Sequence, residues 1–244
     1  MVSPLAESSS PPAGTIIGHH DGMRIVGRAR DGTTLSEFDL GHGEDPTEQL
    51  AIRGLRILEP VDASGSDDRL TVTWQVEPDP GIAVTIRPAE VEESRLTDLS
   101  QAVRRQRVAA YAWVESSRGI LASEFYRPVP GGRWGLPGGG IDPGEEPADA
   151  VHREVMEETS QKIELGGLAG VDTRRRIGRS LTGEIEDFHA VRIIYRATCP
   201  DPTDPVVIDV GGTTTAATWF PYDTWSDQPW NTAWLEVIRH LFGE

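Results

Sequence analysis

Cysteine is almost missing from this chain: Cys199 is the only one among 244 residues. No intramolecular disulfide can form, which suits a reducing compartment, and a cytoplasmic location is expected. Long apolar runs are missing as well; none approaches the roughly 18 residues of a membrane helix. The N-terminus has neither the basic start nor the apolar stretch of a secretory signal, and its Ser and Pro content predicts a disordered tail over residues 1–13. Positive charge is scarce. The chain has 23 Lys and Arg against 39 Asp and Glu, a net charge of -16. That balance excludes a general affinity for nucleic acid. Small phosphates complexed with a cation stay open as partners, because a bound cation reverses the local field. No internal repeat is present.

A chain of 244 residues can bury a sizeable core in one large domain or two smaller ones. Two parts are expected. Over residues 14–95, Thr15 to Gly18, Met23 to Arg28, Leu55 to Leu58 and Arg69 to Val76 read as strands; Leu70, Val72, Trp74 and Val76 alternate with polar residues. Asp45-Pro46-Thr47-Glu48 has the residues of a helix start, and that helix ends near Gly54. The result is a small α+β unit with no motif that carries chemistry; His19-His20 reads as an exposed pair. Pro78-Asp79-Pro80-Gly81 and Glu90-Val91-Glu92-Glu93 mark a junction.

The second part is expected over residues 96–244. Leu96 to Arg107 reads as a connecting helix, with Leu96, Leu99 and Val103 on one face. Strands follow at Val108 to Glu115, Ile120 to Ala122, Ile185 to Thr198 and Thr218 to Pro221. A helix is expected over Ala148 to Thr159, and a closing helix over Asn231 to Phe242, where Trp234, Val237, Ile238 and Leu241 follow the 3.6-residue period. Strands and helices alternate without a regular parallel rhythm, which favours a mixed sheet.

The feature that carries chemistry is Arg153-Glu154-Val155-Met156-Glu157-Glu158, just after the glycine-rich Gly138-Gly139-Gly140. Three carboxylates at spacings of three and four fall within an arc of about 100° on one helix face. Adjacent anions repel and weaken a helix. A hard divalent cation, which prefers oxygen ligands, would offset that repulsion, and Mg²⁺ is the usual such ion.

The spacing resembles the Nudix box, Gly-x5-Glu-x7-Arg-Glu-U-x-Glu-Glu-x-Gly-U, where U is a bulky aliphatic residue. Gly139, Glu145, Arg153, Glu154, Val155, Glu157 and Glu158 occupy its positions; Ser160 and Gln161 stand where Gly and an aliphatic residue belong. A helix end usually takes a left-handed glycine, so Ser160 predicts an end shifted toward Gln161-Lys162. The resemblance implies an α+β fold, an α/β/α sandwich around a mixed sheet, here preceded by the small α+β unit. It implies hydrolysis of a nucleoside diphosphate linked to another group, with Mg²⁺ or Mn²⁺ as cofactor. It puts Glu154, Glu157, Glu158 and Gly139 on the metal, and makes Glu154, Glu157, Arg153 and Glu145 the catalytic set. Arg153 orients the acids and Glu145 supports the metal shell.

The substrate is less legible. Arg174-Arg175-Arg176 with Arg179 is the one compact basic patch, and Arg174 and Arg176 are expected to contact phosphates. His189 is expected to hydrogen-bond a base or phosphate beside Phe188, and Glu184, Glu186 and Asp187 are candidate further ligands or bases. Neither the downstream proline associated with ADP-ribose enzymes nor the tyrosine of dinucleoside polyphosphate enzymes stands at its usual offset. The expected partner is a small nucleoside diphosphate derivative, with no membrane and with room for a homodimer. The rival is a non-catalytic Nudix-fold module for nucleotide sensing or protein interaction; intact acids favour the enzyme.

Overall fold

The computed structural model describes residues 22–91, 102–125, 133–180, 183–208 and 212–243. The tail over 1–13, the strand at Thr15 to Gly18, His19-His20 and the stretch 92–101 lie outside these residues.

The N-terminal unit is a four-stranded sheet in the order β2-β1-β4-β3, formed by β1 (Met23–Arg28), β2 (Thr34–Leu40), β3 (Leu55–Ser64) and β4 (Thr71–Pro78). β1 runs parallel to β4, which requires a crossover. The helix α1 (Pro46–Ile52) supplies it, and its start follows the expected chemistry: the Asp45 carboxylate accepts from the Thr47 and Glu48 amides, with Pro46 in the first turn.

The larger sheet is mixed, in the order β12-β7-β6-β11-β10-β5. Its strands are β5 (Glu90–Val91), β6 (Val103–Ser116), β7 (Gly119–Phe125), β8 (Trp134–Gly135), β9 (Gly138–Gly140), β10 (Glu164–Arg179), β11 (Ile185–Thr198) and β12 (Thr214–Phe220). β8 pairs with β7 and β9 with β6. Two helices complete it, α2 (Pro147–Thr159) and α3 (Thr232–Phe242).

Each face of this sheet has its own core. On one face, Val108, Ala110, Ala112, Val191 and Ile193 meet Val151 and Val155 of α2 and also Met23, Ile25, Val72 and Trp74 of the N-terminal sheet. On the other, Trp113, Ile194 and Trp225 pack against Trp234, Val237 and Ile238 of α3. The mixed α+β architecture thus agrees with the expectation, and the box helix shares one continuous core with the N-terminal unit.

One expectation is corrected. Val103 to Arg107 is strand, not the end of a connecting helix: it extends β6 and pairs in parallel with β11, Val103 opposite Glu186 through Arg107 opposite Ala190. A ladder of backbone hydrogen bonds overrides the three-residue spacing of apolar side chains that suggested a helix. The arginine run also lies within a long strand, β10, antiparallel to β11. Charges sit comfortably there because the neighbouring strands supply acids.

Candidate active site

The helix α2 is placed by its buried stripe. Pro147, Val151, Val155 and Thr159, spaced by four, are buried together with Ala150 and Glu158. The opposite flank carries Arg153, Glu154 and Glu157. Arg153 gathers the acids: its Nε and Nη2 donate to Glu145 at 2.9 and 2.8 Å, and its Nη1 donates to Glu154 at 2.8 Å and Glu157 at 3.3 Å. Nη2 also donates to the Gly140 carbonyl at 2.9 Å, which ties the helix to β9. The Glu145 side chain holds Arg153 well above the ordinary guanidinium range, and Arg153 in turn holds the Glu145 carboxyl below its usual range.

Glu158 behaves differently from its neighbours. It is only 5% exposed and takes hydrogen bonds from three elements: Ser123 Oγ of β7 at 2.9 Å, the Gly138 amide of β9 at 3.1 Å, and Thr214 Oγ1 of β12. Burial pushes its carboxyl up to about 7 against those bonds. Burial also raises Glu154, with Glu157 adding to the effect and Arg153 opposing it.

The acids are held around Arg153. Among the described residues, no three His, Cys, Asp or Glu side chains converge in a metal-holding group. The surroundings nevertheless fit a hard cation. The donor set is carboxylate and carbonyl oxygen. Gly139 lets the Glu154 carboxylate lie against the β9 backbone: a Cβ there would lie 2.5 Å from it. Burial that disfavours charge on Glu154 and Glu158 is relieved by a cation.

The departures at the end of the box have structural jobs. Ser160 itself takes the left-handed conformation, φ 58, and caps the helix, so the expected shift toward Gln161-Lys162 does not occur. Its hydroxyl donates to the Val206 carbonyl at 2.6 Å. Gln161 is buried; its side chain donates to the Thr159 carbonyl and the Thr203 hydroxyl and accepts from the Thr203 amide. An extended 202–208 segment is thereby fastened beside the helix, with the Ile208 amide donating to the Glu157 carbonyl at 2.8 Å.

The expected substrate residues Arg174 and Arg176 stand on β10, and His189 on β11. β10 is two strands from β6, about 10 Å at sheet spacing. Arg174 donates to Glu236 at 2.6 Å and Glu90 at 3.2 Å; Arg176 donates to Glu186 at 2.8 Å. Asp187 takes two bonds from Arg175, which hold its carboxyl down at about 2, and Glu184 pairs with Arg105. His189 is 1% exposed, and its Nδ1 accepts from the Gly43 amide of the N-terminal unit at 3.1 Å. Burial, then the nearby His42 and Arg175, depress it to about 4. It is a neutral ring at the seam between the two units.

Sequence reasoning missed Arg107, Ser123, Thr214 and Asp67. Arg107 makes no ion pair with any described residue, and its guanidinium lies over Gly140, where an added Cβ would come within 3.0 Å of it. Alternation within β6 was the one signal that could have placed it. Ser123, Thr214 and Asp67 have none, because they reach the box only through tertiary contacts.

A family model described as the NUDIX domain matches residues 103–241, more than half of the 244-residue chain. Human diphosphoinositol polyphosphate phosphohydrolase 3-alpha is 56% identical over 39 residues, 16% of this chain, and the chain spans only 24% of that relative's length. Similar solved structures include a MutT NUDIX hydrolase from Burkholderia pseudomallei, at 30% identity over 54% of this chain and 97% of that one, TM-score 0.41. Another is the NUDIX domain of Shewanella oneidensis NrtR complexed with ADP ribose, at 21% identity over 55% of this chain and 85% of that one, TM-score 0.41. With Glu145, Glu154 and Glu157 gathered by Arg153 and the family model covering β6 to β12, α2 and nearly all of α3, the chain belongs to the Nudix family.

Proposed function

We propose that the chain is a Mg²⁺- or Mn²⁺-dependent pyrophosphohydrolase acting on a nucleoside diphosphate linked to another group. The observation that carries this reading is the Arg153 cluster, which gathers Glu145, Glu154 and Glu157, with the Glu154 carboxylate against Gly139. Glu154, Glu157, Glu158 and the Gly139 carbonyl would hold the cation. When bound, such an ion would supply positive charge to offset the diphosphate and to make the attacking water more acidic.

The remaining work belongs to side chains. Glu145 fixes Arg153, and Arg153 fixes Glu154. Glu157 is the most exposed of the box acids, its side chain 41% accessible and bonded by Arg153 only at 3.3 Å. That exposure supports Glu157 as the group that would accept the proton of the attacking water. Arg107, which makes no close ion pair with a described residue and lies over Gly140, is the phosphate contact proposed here in place of Arg174 and Arg176. A guanidinium pairs two oxygens of a phosphate at once.

A nucleotide-sensing module is the second reading, favoured by the core that the N-terminal unit shares with the box helix. A phosphate-release screen decides between them, run over nucleoside diphosphate derivatives and diphosphoinositol phosphates with Mg²⁺ and Mn²⁺. Hydrolysis that Glu154→Gln abolishes supports the enzyme. Binding of a nucleotide with no turnover under either ion replaces it with the sensor.

A further inference from the structure

We propose that Asp67, in the N-terminal unit, is a positioning residue for the metal-binding acids and acts through Gly144, Glu145 and Arg153. The proposal rests on the hydrolase reading above for its catalytic consequence, but its physical content is a contact between the two units. Asp67 lies in the connection between β3 and β4, in a short 3₁₀ turn (Asp67–Arg69). Both oxygens of its carboxylate stand 3.1 Å from the Gly144 amide. A second bond runs the other way: the Gly65 amide donates to Glu146 at 2.8 Å. Each loop thus caps a backbone N–H of the other with a carboxylate.

Three features indicate that this contact is more than adhesion. First, Asp67 holds a left-handed backbone, φ 53, and among the described residues only Ser160 shares that trait outside glycine. L side chains adopt this conformation at a cost, and such residues cluster where geometry serves function. Gly65 is required by the same turn, since a Cβ there would sit 2.3 Å from the Arg69 carbonyl. Second, Glu146 is the N-cap of α2 yet makes no side-chain bond to its own helix. Its carboxylate goes to Gly65 instead. Third, the contact lands on the loop that delivers Glu145. Gly144 is at the tip of a turn closed by the Glu145 amide to the Asp142 carbonyl at 3.0 Å and by the Asp142 amide to the Glu145 carboxylate at 2.9 Å. From Glu145 the bonds continue to Arg153, and from Arg153 to Glu154 and Glu157.

The chain of contacts is unbroken from Asp67 to the acids. The near end is anchored too: Tyr195 of β11 donates its hydroxyl to the Ala63 carbonyl of β3 at 3.1 Å, buried. The strand end that leads into the Gly65 to Arg69 turn is therefore anchored to the larger sheet, while Asp67 itself stays exposed. In an acidic chain, an extra carboxylate beside Glu145 and Glu146 adds repulsion, which the Gly144 bond offsets.

Two variants separate the bond from the fold. Asp67→Gly removes the acceptor but tolerates the left-handed backbone. Asp67→Asn keeps an acceptor oxygen and also tolerates that backbone. In the full chain, Mn²⁺ titration by calorimetry is read together with thermal melting and with kcat and KM on the diphosphate substrate. Asp67→Gly should weaken Mn²⁺ binding at least fivefold and lower kcat about tenfold, with KM within twofold and an unchanged melting profile. Asp67→Asn should restore both within twofold. The Gly144 amide should also exchange slowly with solvent in the wild-type chain. Wild-type Mn²⁺ affinity in Asp67→Gly overturns the proposal, as does failure of Asp67→Asn to rescue, or Gly144 exchange at the rate of a free loop. Weakened Mn²⁺ binding in Asp67→Gly alongside a wild-type chain that hydrolyses no diphosphate supports the positioning role and overturns the hydrolase reading alone. No Mn²⁺ binding by the wild-type chain overturns both.

Discussion

Gly139→Ala isolates the metal-binding face from the fold. Gly139 does not have a positive φ, so alanine meets no backbone strain there. The added Cβ would lie 2.5 Å from Cδ and Oε1 of Glu154 and 2.6 Å from Oε2. An ordinary carbon–oxygen contact is about 3.5 Å, so the carboxylate must retreat by about 1 Å. That movement stretches the 2.8 Å bond from Arg153 and takes Glu154 off the β9 backbone. Displacement of about 1 Å at a reacting centre can cost about 100-fold in rate, close to 2.7 kcal/mol of transition-state stabilisation. Stability should hardly move, because the displaced atoms are the end of a flexible side chain; the alanine also trims unfolded-state entropy by about 0.4–1 kcal/mol. The expected result is weak Mn²⁺ binding and turnover down about 100-fold, with an unchanged or slightly raised melting temperature. Gly138→Ala would not serve, because φ 140 and a 2.3 Å approach to the Ala110 carbonyl would damage the fold itself. If Gly139→Ala turns over within threefold of wild type, Glu154 does not act from this position.

Other perturbations follow from the same geometry. His189 titrates near 6.5 unfolded and about 4 folded, so the folded state binds fewer protons. Stability is then full above about pH 6.5 and falls as pH drops toward 4, by roughly 3 kcal/mol; urea unfolding across that range should show a shallower slope in His189→Gln, and equal slopes would refute the assignment. Ser123→Ala and Thr214→Val each remove a donor from the buried Glu158 carboxylate and should cost about 1–3 kcal/mol each, with a double variant less than additive. Additivity in denaturant melts would mean that the two hydroxyls do not share one acceptor. Ser160→Gly relieves a left-handed serine but loses the bond to Val206, two effects of about 1 kcal/mol that nearly cancel; a calorimetric shift well beyond about 0.5 kcal/mol contradicts this balance. Arg107→Ala should raise KM for the diphosphate at least tenfold with kcat changed less, and an unchanged KM removes the proposed phosphate contact.

The box was legible because helix geometry converts spacing directly into a shared face. Glu154, Glu157 and Glu158 need only the 3.6-residue period to lie together, and Pro147 marks where that helix begins. The caps of α1 and the apolar period of α3 were readable for the same local reason. Spacing could not tell the acids apart. Glu158 becomes a buried acceptor because Ser123, Gly138 and Thr214 arrive from three strands, while Glu157 stays open to solvent. Charge in sequence does not reveal partners: Arg174 and Arg176 are paired with acids brought near by strand pairing and by α3, whereas Arg107 makes no ion pair with a described residue and lies over Gly140. The stretch Val103 to Arg107 looked helical for want of knowledge of β11, whose ladder made it strand. Asp67 lies 77 residues from Gly144 in the chain, and no local rule joins them. The sequence alone therefore determined which residues share a helix face and which residue types could hold a cation. Charge state, burial and the contacts between the units were decided only when the two sheets packed over one core.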